Sequence, residues 1–219
     1  MPDFIIARKN MVSNQLKVNN ITENNLLDAL GKIPREIFLH RNIQQMAYLD
    51  KDINIFTDRF LINPINLGKI LKVSKIKITD RVLDLACATG YTSTILGNLS
   101  THVYAVDNKN KLIQDAKVIS NKLDITNVTF ICASFNKVSF KEKFDIIFIF
   151  GGVQRIPVNI FDLMKEDGGK LVTIMFGENN LGNLITFQKI KGVLSKKTHE
   201  ICQTPILGDF KKTKKEFIF

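Results

Sequence analysis

The chain has 219 residues, 45% hydrophobic and 24% charged, with 31 basic against 21 acidic side chains and a formal net charge of +10. That length suits one domain with a sizeable core, and the composition excludes a disordered chain or a disulfide scaffold. No apolar run approaches the ~18 residues of a membrane helix, the first ten residues hold Asp3, Arg8 and Lys9, and the three cysteines lie far apart; a cytoplasmic protein with reduced thiols and no metal is expected.

The excess charge is mostly lysine, since only six basic residues are arginine (Arg8, Arg35, Arg41, Arg59, Arg81, Arg155). Phosphate-reading surfaces favour arginine's fork alongside lysine, so a solvated lysine surface is expected rather than a nucleic-acid footprint.

In chain order, Ile21 to Tyr48 reads as helical, with Thr22 as cap, Leu26, Leu27 and Leu30 at helical spacing, and Gly31 as a stop. Arg35 to Asn63 is less regular, and Ile65, Leu67, Ile70 and Leu71 predict a short amphipathic helix. From residue 81 the pattern changes. Strand-like runs at Arg81–Ala86, Val103–Val106, Val128–Cys132, Phe144–Phe150 and Lys170–Phe176 alternate with helix-like stretches at Thr92–Leu99, Lys109–Leu123 and Val158–Met164. Short strands without inside/outside alternation, separated by helices, describe a parallel sheet covered on both faces. The predicted fold is therefore α/β, a doubly wound, mostly parallel sheet with N-terminal helices. Leu184–Ile190 and Glu216–Phe219 are read as antiparallel strands added at its edge, with Lys211, Lys212, Lys214 and Lys215 as a charged turn before the last one. No linker divides the chain: residues 1–78 form an N-terminal cap and substrate-side segment, and 79–219 the ligand-binding sheet, of a single domain.

In such a sheet a ligand binds beyond the carboxyl ends of the strands, at the first strand-to-helix turn. That turn is Asp84-Leu85-Ala86-Cys87-Ala88-Thr89-Gly90-Tyr91, whose small residues let the backbone approach a ligand. Asp107, 17 residues beyond Gly90, ends the next strand where a carboxylate can accept both hydroxyls of a ribose. A nucleoside-like ligand is implied. The spacing is neither the dinucleotide fingerprint nor a Walker loop.

The D-x-[small]-x-[small]-x-G turn with an acid ending the next strand resembles the S-adenosylmethionine motif of class I methyltransferases. Arg8–Leu16, Ile33-Pro34-Arg35-Glu36-Ile37-Phe38, Ala47-Tyr48-Leu49-Asp50, Phe144-Asp145-Ile146-Ile147 and Asp167–Val172 resemble protein-L-isoaspartate O-methyltransferases. So do Thr204-Pro205-Ile206-Leu207 and the closing Phe217-Ile218-Phe219. The resemblance covers nearly the whole chain. It implies a Rossmann-like, monomeric methyltransferase that uses S-adenosylmethionine, yields S-adenosylhomocysteine, and methylates the carboxyl of isoaspartyl residues in damaged proteins. It implies cofactor contacts from Asp84, Ala86, Cys87, Ala88, Gly90, Tyr91, Asp107, Asn108 and Ser134, and a substrate side at Ile62 and Asn63. No residue is assigned as catalytic.

Several positions depart from the family pattern. Ile62 stands where the family carries a serine, Ala86 and Ala88 replace glycines, Ser134 replaces an acid beside the adenine, and Phe150 stands where a polar residue is usual. Alanine disfavours positive φ, so the loop is expected either to take ordinary angles or to hold its ligand less closely. Thr57, Asp58, Arg59 and Asn63 are expected as surface or turn residues with polar groups near the acceptor. Cys87 carries no mark of a nucleophile, and His40, His102 and His199 lack ligand spacing. Two other readings stay open: a methyltransferase with another acceptor, and a non-catalytic descendant that binds a protein partner.

Overall fold

The computed structural model describes residues 3–212. Asp3 opens the first helix, α1 (Phe4–Asn10), its Oδ1 accepting the amides of Ile5 and Ile6 at 3.0 and 3.1 Å. The chain then winds on through Met11–Leu16, where Met11 and Leu16 are buried. These turns precede the predicted helical segment. Within that segment only α2 (Asn24–Lys32) is a regular helix, burying Leu26, Leu27, Ala29 and Leu30. Thr22 does not cap it, for Glu23 holds that position without a side-chain cap. Gly31 does not end it either. The stop is Ile33-Pro34, because a residue before proline is driven to extended angles, here φ −84° and ψ 123°. Beyond Pro34 the chain makes two short 3-10 turns, Arg35–Phe38 and Arg41–Met46.

The irregular segment contains a hairpin of β1 (Ile53–Phe56) and β2 (Arg59–Leu61), paired antiparallel around Thr57-Asp58. The predicted helix follows as α3 (Pro64–Ser74), with Pro64 in its first turn and Asn63 as its cap.

The main sheet has seven strands: β3 (Arg81–Leu85), β4 (His102–Asp107), β5 (Val128–Cys132), β6 (Ile146–Val153), β7 (Lys170–Phe176), β8 (Gly182–Ile190) and β9 (Val193–Ile201). Their spatial order is β5-β4-β3-β6-β7-β8-β9. The first five run parallel and the last two antiparallel. Between them lie α4 (Tyr91–Gly97), α5 (Asn110–Lys122) and α6 (Val158–Asp162). The hairpin partner of β8 is β9, not residues 216–219. Those, like the expected Lys214 and Lys215 turn, lie outside the described residues.

Every residue of β6 is buried, as a strand covered on both faces requires. Ile146, Phe148 and Phe150 pack with α2, α3 and α4 on one face, and Ile147 and Ile149 face a second core with Ile160 and Phe210. The chain leaves β3 in opposite directions, to β4 on one side and later to β6 on the other. That switch point opens at the carboxyl ends of β3, β4 and β6, where the predicted turn sits.

Candidate functional site

The turn after β3 keeps the shape that glycines would give it. Ala86 and Ala88 both have positive φ, 62° and 49°, as does Gly90 at 85°. Left-handed backbone costs an alanine about 1 kcal/mol, so the closed turn is retained at the expense of local strain. Of the two expectations for these alanines, ordinary angles are excluded. Ala86 and Cys87 amides bond the Val106 carbonyl, and the Gly90 amide bonds that of Cys87 at 2.8 Å. A Cβ on Gly90 would stand 2.8 Å from the ring of Phe130, so a side chain there has no room.

Asp84 is wholly buried at the end of β3. Its Oδ2 accepts the hydroxyls of Thr92 and Ser93 at 2.7 Å each, while Oδ1 has no partner among the described residues. Burial pushes its carboxyl up to about 7; the two hydroxyls oppose that rise, and the charge of Asp107 adds to it. Cys87 is buried beside it, and burial followed by the charges of Asp84 and Asp107 drives its thiol well above the ordinary range. A protonated thiol agrees with the absence of a nucleophilic signature. Tyr91, the first residue of α4, is 1% exposed, packs edge-on against Phe38, and lies under the Arg35 guanidinium. Burial raises its phenol, which stays protonated.

Of the two residues expected on the substrate side, Ile62 is 1% exposed and its carbonyl receives Arg35 Nη2. Asn63 serves the backbone: its Oδ1 accepts the Asn66 amide at 2.8 Å and its own amide bonds Asp52. Ser134 is exposed beyond β5, and its side chain has no hydrogen bond among the described residues.

The centre of the site is a residue expected at the surface. Arg59 is 1% exposed, and its guanidinium reaches Asp107 twice, Nε to Oδ2 at 2.8 Å and Nη2 to Oδ1 at 3.1 Å. Nη2 also meets Asn108 Oδ1 at 3.0 Å and Asp209 Oδ2 at 2.8 Å, and Nη1 pairs with Asp58 at 3.1 Å. Phe135, stacked on Phe210, lies beneath the guanidinium carbon at 5.7 Å. Burial by itself would lower the guanidinium's pKa; the bonds and charges of Asp107, then Asp209 and Asp58, reverse that, and it stays charged. Sequence reasoning treated Arg59 as a surface or turn residue because a lone arginine after a turn gives no sign of its partners. Asp209, 150 positions away, gave none either.

The chain matches the sequence pattern of the family described as protein-L-isoaspartate(D-aspartate) O-methyltransferase over residues 7–209. The chain belongs to this family. The O-methyltransferase family's reaction class, a methyl transfer to oxygen, comes with that membership. A protein-L-isoaspartate O-methyltransferase of Koribacter versatilis is 27% identical over 208 residues, covering 94% of this chain and 93% of the relative. One of Flavobacterium psychrophilum is 28% identical, covering 93% and 91%. A solved protein-L-isoaspartate O-methyltransferase superposes with a TM-score of 0.80 at 22% identity, over 92% of this chain and 66% of that one, which supports the fold.

Against the family's cofactor, the O-methyltransferase turn and the residues around it give opposite answers. The unpartnered Asp84 Oδ1 and Tyr91 hydroxyl are buried polar atoms that suit a polar ligand. Yet the hollow lined by Ala86–Thr89, Ile62 and Phe150 measures only about 10 Å³, roughly one water, where small-molecule sites span ~300–1,000 Å³. Asp107 is also fully engaged. Besides Arg59 it accepts the Ala88 amide on Oδ2 and the Lys109 amide on Oδ1, both at 3.0 Å. In this conformation the hollow beside the turn is closed and the Asp107 carboxylate is occupied by the chain itself. A larger hollow of about 830 Å³ lies between α1 and α2, away from the turn.

Proposed function

We propose that the chain is an S-adenosylmethionine-dependent carboxyl methyltransferase of the isoaspartyl-repair type, acting in the cytoplasm on damaged protein. The observation that carries this reading is the turn after β3. It holds its left-handed shape at Ala86 and Ala88 against the preference of alanine, with Asp107 ending the neighbouring strand. The family match over residues 7–209 supports the acceptor class. Free thiols at Cys87, Cys132 and Cys202 agree with a reducing compartment. Among the described residues, no helix is long and apolar enough to cross a membrane.

The chemistry asks little of acid–base groups. A carboxylate acceptor ordinarily titrates near ~4 and is ionised at neutral pH, so the enzyme's part is to align it and exclude water. Ile62 closes the acceptor side with an aliphatic wall. It supplies no hydroxyl, and one missing donor in a dry site slows transfer by about one to two powers of ten.

The test is methyl-ester formation on an isoaspartyl peptide by the purified chain, with the Koribacter relative run in parallel. Ester formation slower than the relative's is expected. None from this chain while the relative reacts would overturn the reading. It would favour the second one, a non-catalytic descendant binding a protein partner, for which the filled cleft around Asp107 argues.

A further inference from the structure

Two neighbouring ribose hydroxyls and a guanidinium edge present the same pattern to a carboxylate: two parallel donors, one for each oxygen. A carboxylate has about four acceptor sites. In Asp107 two are taken by the Ala88 and Lys109 amides, which belong to the turn and to the strand end and stay with the fold. The remaining two are those a diol would use, and Arg59 Nε and Nη2 hold both. Arg59 competes with a diol for these sites and adds to its two hydrogen bonds an ion-pair attraction that neutral hydroxyls lack.

Its position is set by three separate segments. Arg59 starts β2, Asp107 ends β4 with Asn108 just beyond it, and Asp209 lies in the short turn Gly208–Phe210 near the end of the described chain. Asn108 Nδ2 bonds Asp209 Oδ1 at 2.6 Å, and Lys109 reaches Asp58 at 3.4 Å, so two cations and three carboxylates interlock. The stacked rings of Phe135 and Phe210 fill the space below. The asymmetry is informative: the Asp107 carboxylate is packed and fully bonded, whereas Asp84 Oδ1 and the Tyr91 hydroxyl, at the first and last residues of the turn, have no partners among the described residues.

We infer that Arg59 is an internal occupant of the family's cofactor cleft, and that a nucleoside cofactor binds this chain only when Arg59 withdraws from Asp107. The inference rests on the methyltransferase reading above. Arg59 then sets cofactor affinity: part of the binding free energy goes into breaking the bidentate pair, while Asp209, Asp58 and Asn108 remain at the rim as partners for the displaced guanidinium.

Titration calorimetry with S-adenosylhomocysteine tests it on the wild type, Arg59→Gln and Asp209→Asn. Arg59→Gln should bind at least ten-fold more tightly than wild type. Asp209→Asn, which loosens Arg59 without touching Asp107, should shift affinity in the same direction by a smaller factor. Should Arg59→Gln fold poorly, Asp209→Asn and the wild type still decide: in wild type the Arg59 Nε–H proton signal should be protected from exchange when free and lose that protection at saturating ligand. Equal micromolar affinity in all three proteins, or an unchanged Arg59 signal on binding, overturns the occlusion and leaves the methyltransferase reading standing. No binding by any folded variant overturns both.

Discussion

Asp84 shows how one carboxylate can dominate a pH profile. Its folded pKa is raised to about 7 from an ordinary 3.8, chiefly by burial, so the folded state holds a proton that the unfolded chain releases near pH 4. The associated stability is therefore full below about pH 4 and is lost as pH rises towards 7. Asp52 and Asp80 are raised too, first by burial, and add to the same slope. Asp84→Asn keeps an acceptor for Thr92 and Ser93 but cannot ionise. Chemical unfolding of both proteins from pH 4 to 8 should show the variant gaining on wild type through this window, by up to a few kcal/mol. A constant difference would mean that Asp84 titrates normally in the fold. At this scale the sequence exposes residue types and spacing but not partners. Asp84 and Asp107 were legible because each ends a strand beside a turn. Arg59 was not, because its burial depends on carboxylates 48 and 150 positions away.

Between elements, the segment after β9 returns to the sheet through a contact that only glycine allows. Gly152 donates to the Pro205 carbonyl and accepts from the Leu207 amide, both at 2.9 Å, forming a parallel bridge opposite Ile206. A Cβ there would lie 2.9 Å from the Pro205 oxygen and 3.1 Å from the Ile206 Cα, both backbone atoms that cannot rotate away. Gly152→Ala should cost ~1–3 kcal/mol by overpacking. It should also speed hydrogen exchange at Leu207 more than at the centre of β6, since the bridge opens before the sheet does. Exchange unchanged at Leu207 would show that the segment is held elsewhere. The parallel strands were legible from short apolar runs, and β9 was not. Its residues are mostly exposed and rich in lysine, so its strand state comes from pairing with β8. The available signal was Lys191-Gly192, a two-residue turn with φ of 50° and 80°, the primed geometry that suits hairpins. The extended reading of Ile21–Tyr48 failed for a similar reason: helical spacing persists past Pro34, but the proline interrupts the backbone that would carry it.

Across the whole molecule, two kinds of electrostatics respond differently to salt. The net charge of +10 acts between exposed side chains, and self-repulsion of this kind opposes compaction. Its range is ~30 Å at 0.01 M salt, comparable to the protein, and ~8 Å at 0.15 M. The Arg59–Asp107 pair has both side chains at 0% exposure, so mobile ions do not reach it. Raising sodium chloride from 0.01 to 0.15 M should therefore relieve repulsion and leave the buried pair intact. The thermal midpoint should rise by about 2–4 °C, equivalent to ~1 kcal/mol for a chain of this size. Arg59→Gln should show the same increment from a lower starting point, because the removed pair contributed nothing to the salt response. A midpoint that falls with salt would mean instead that exposed ion pairs, such as Lys69–Glu200 and Lys165–Asp145, outweigh the repulsion of the lysine excess.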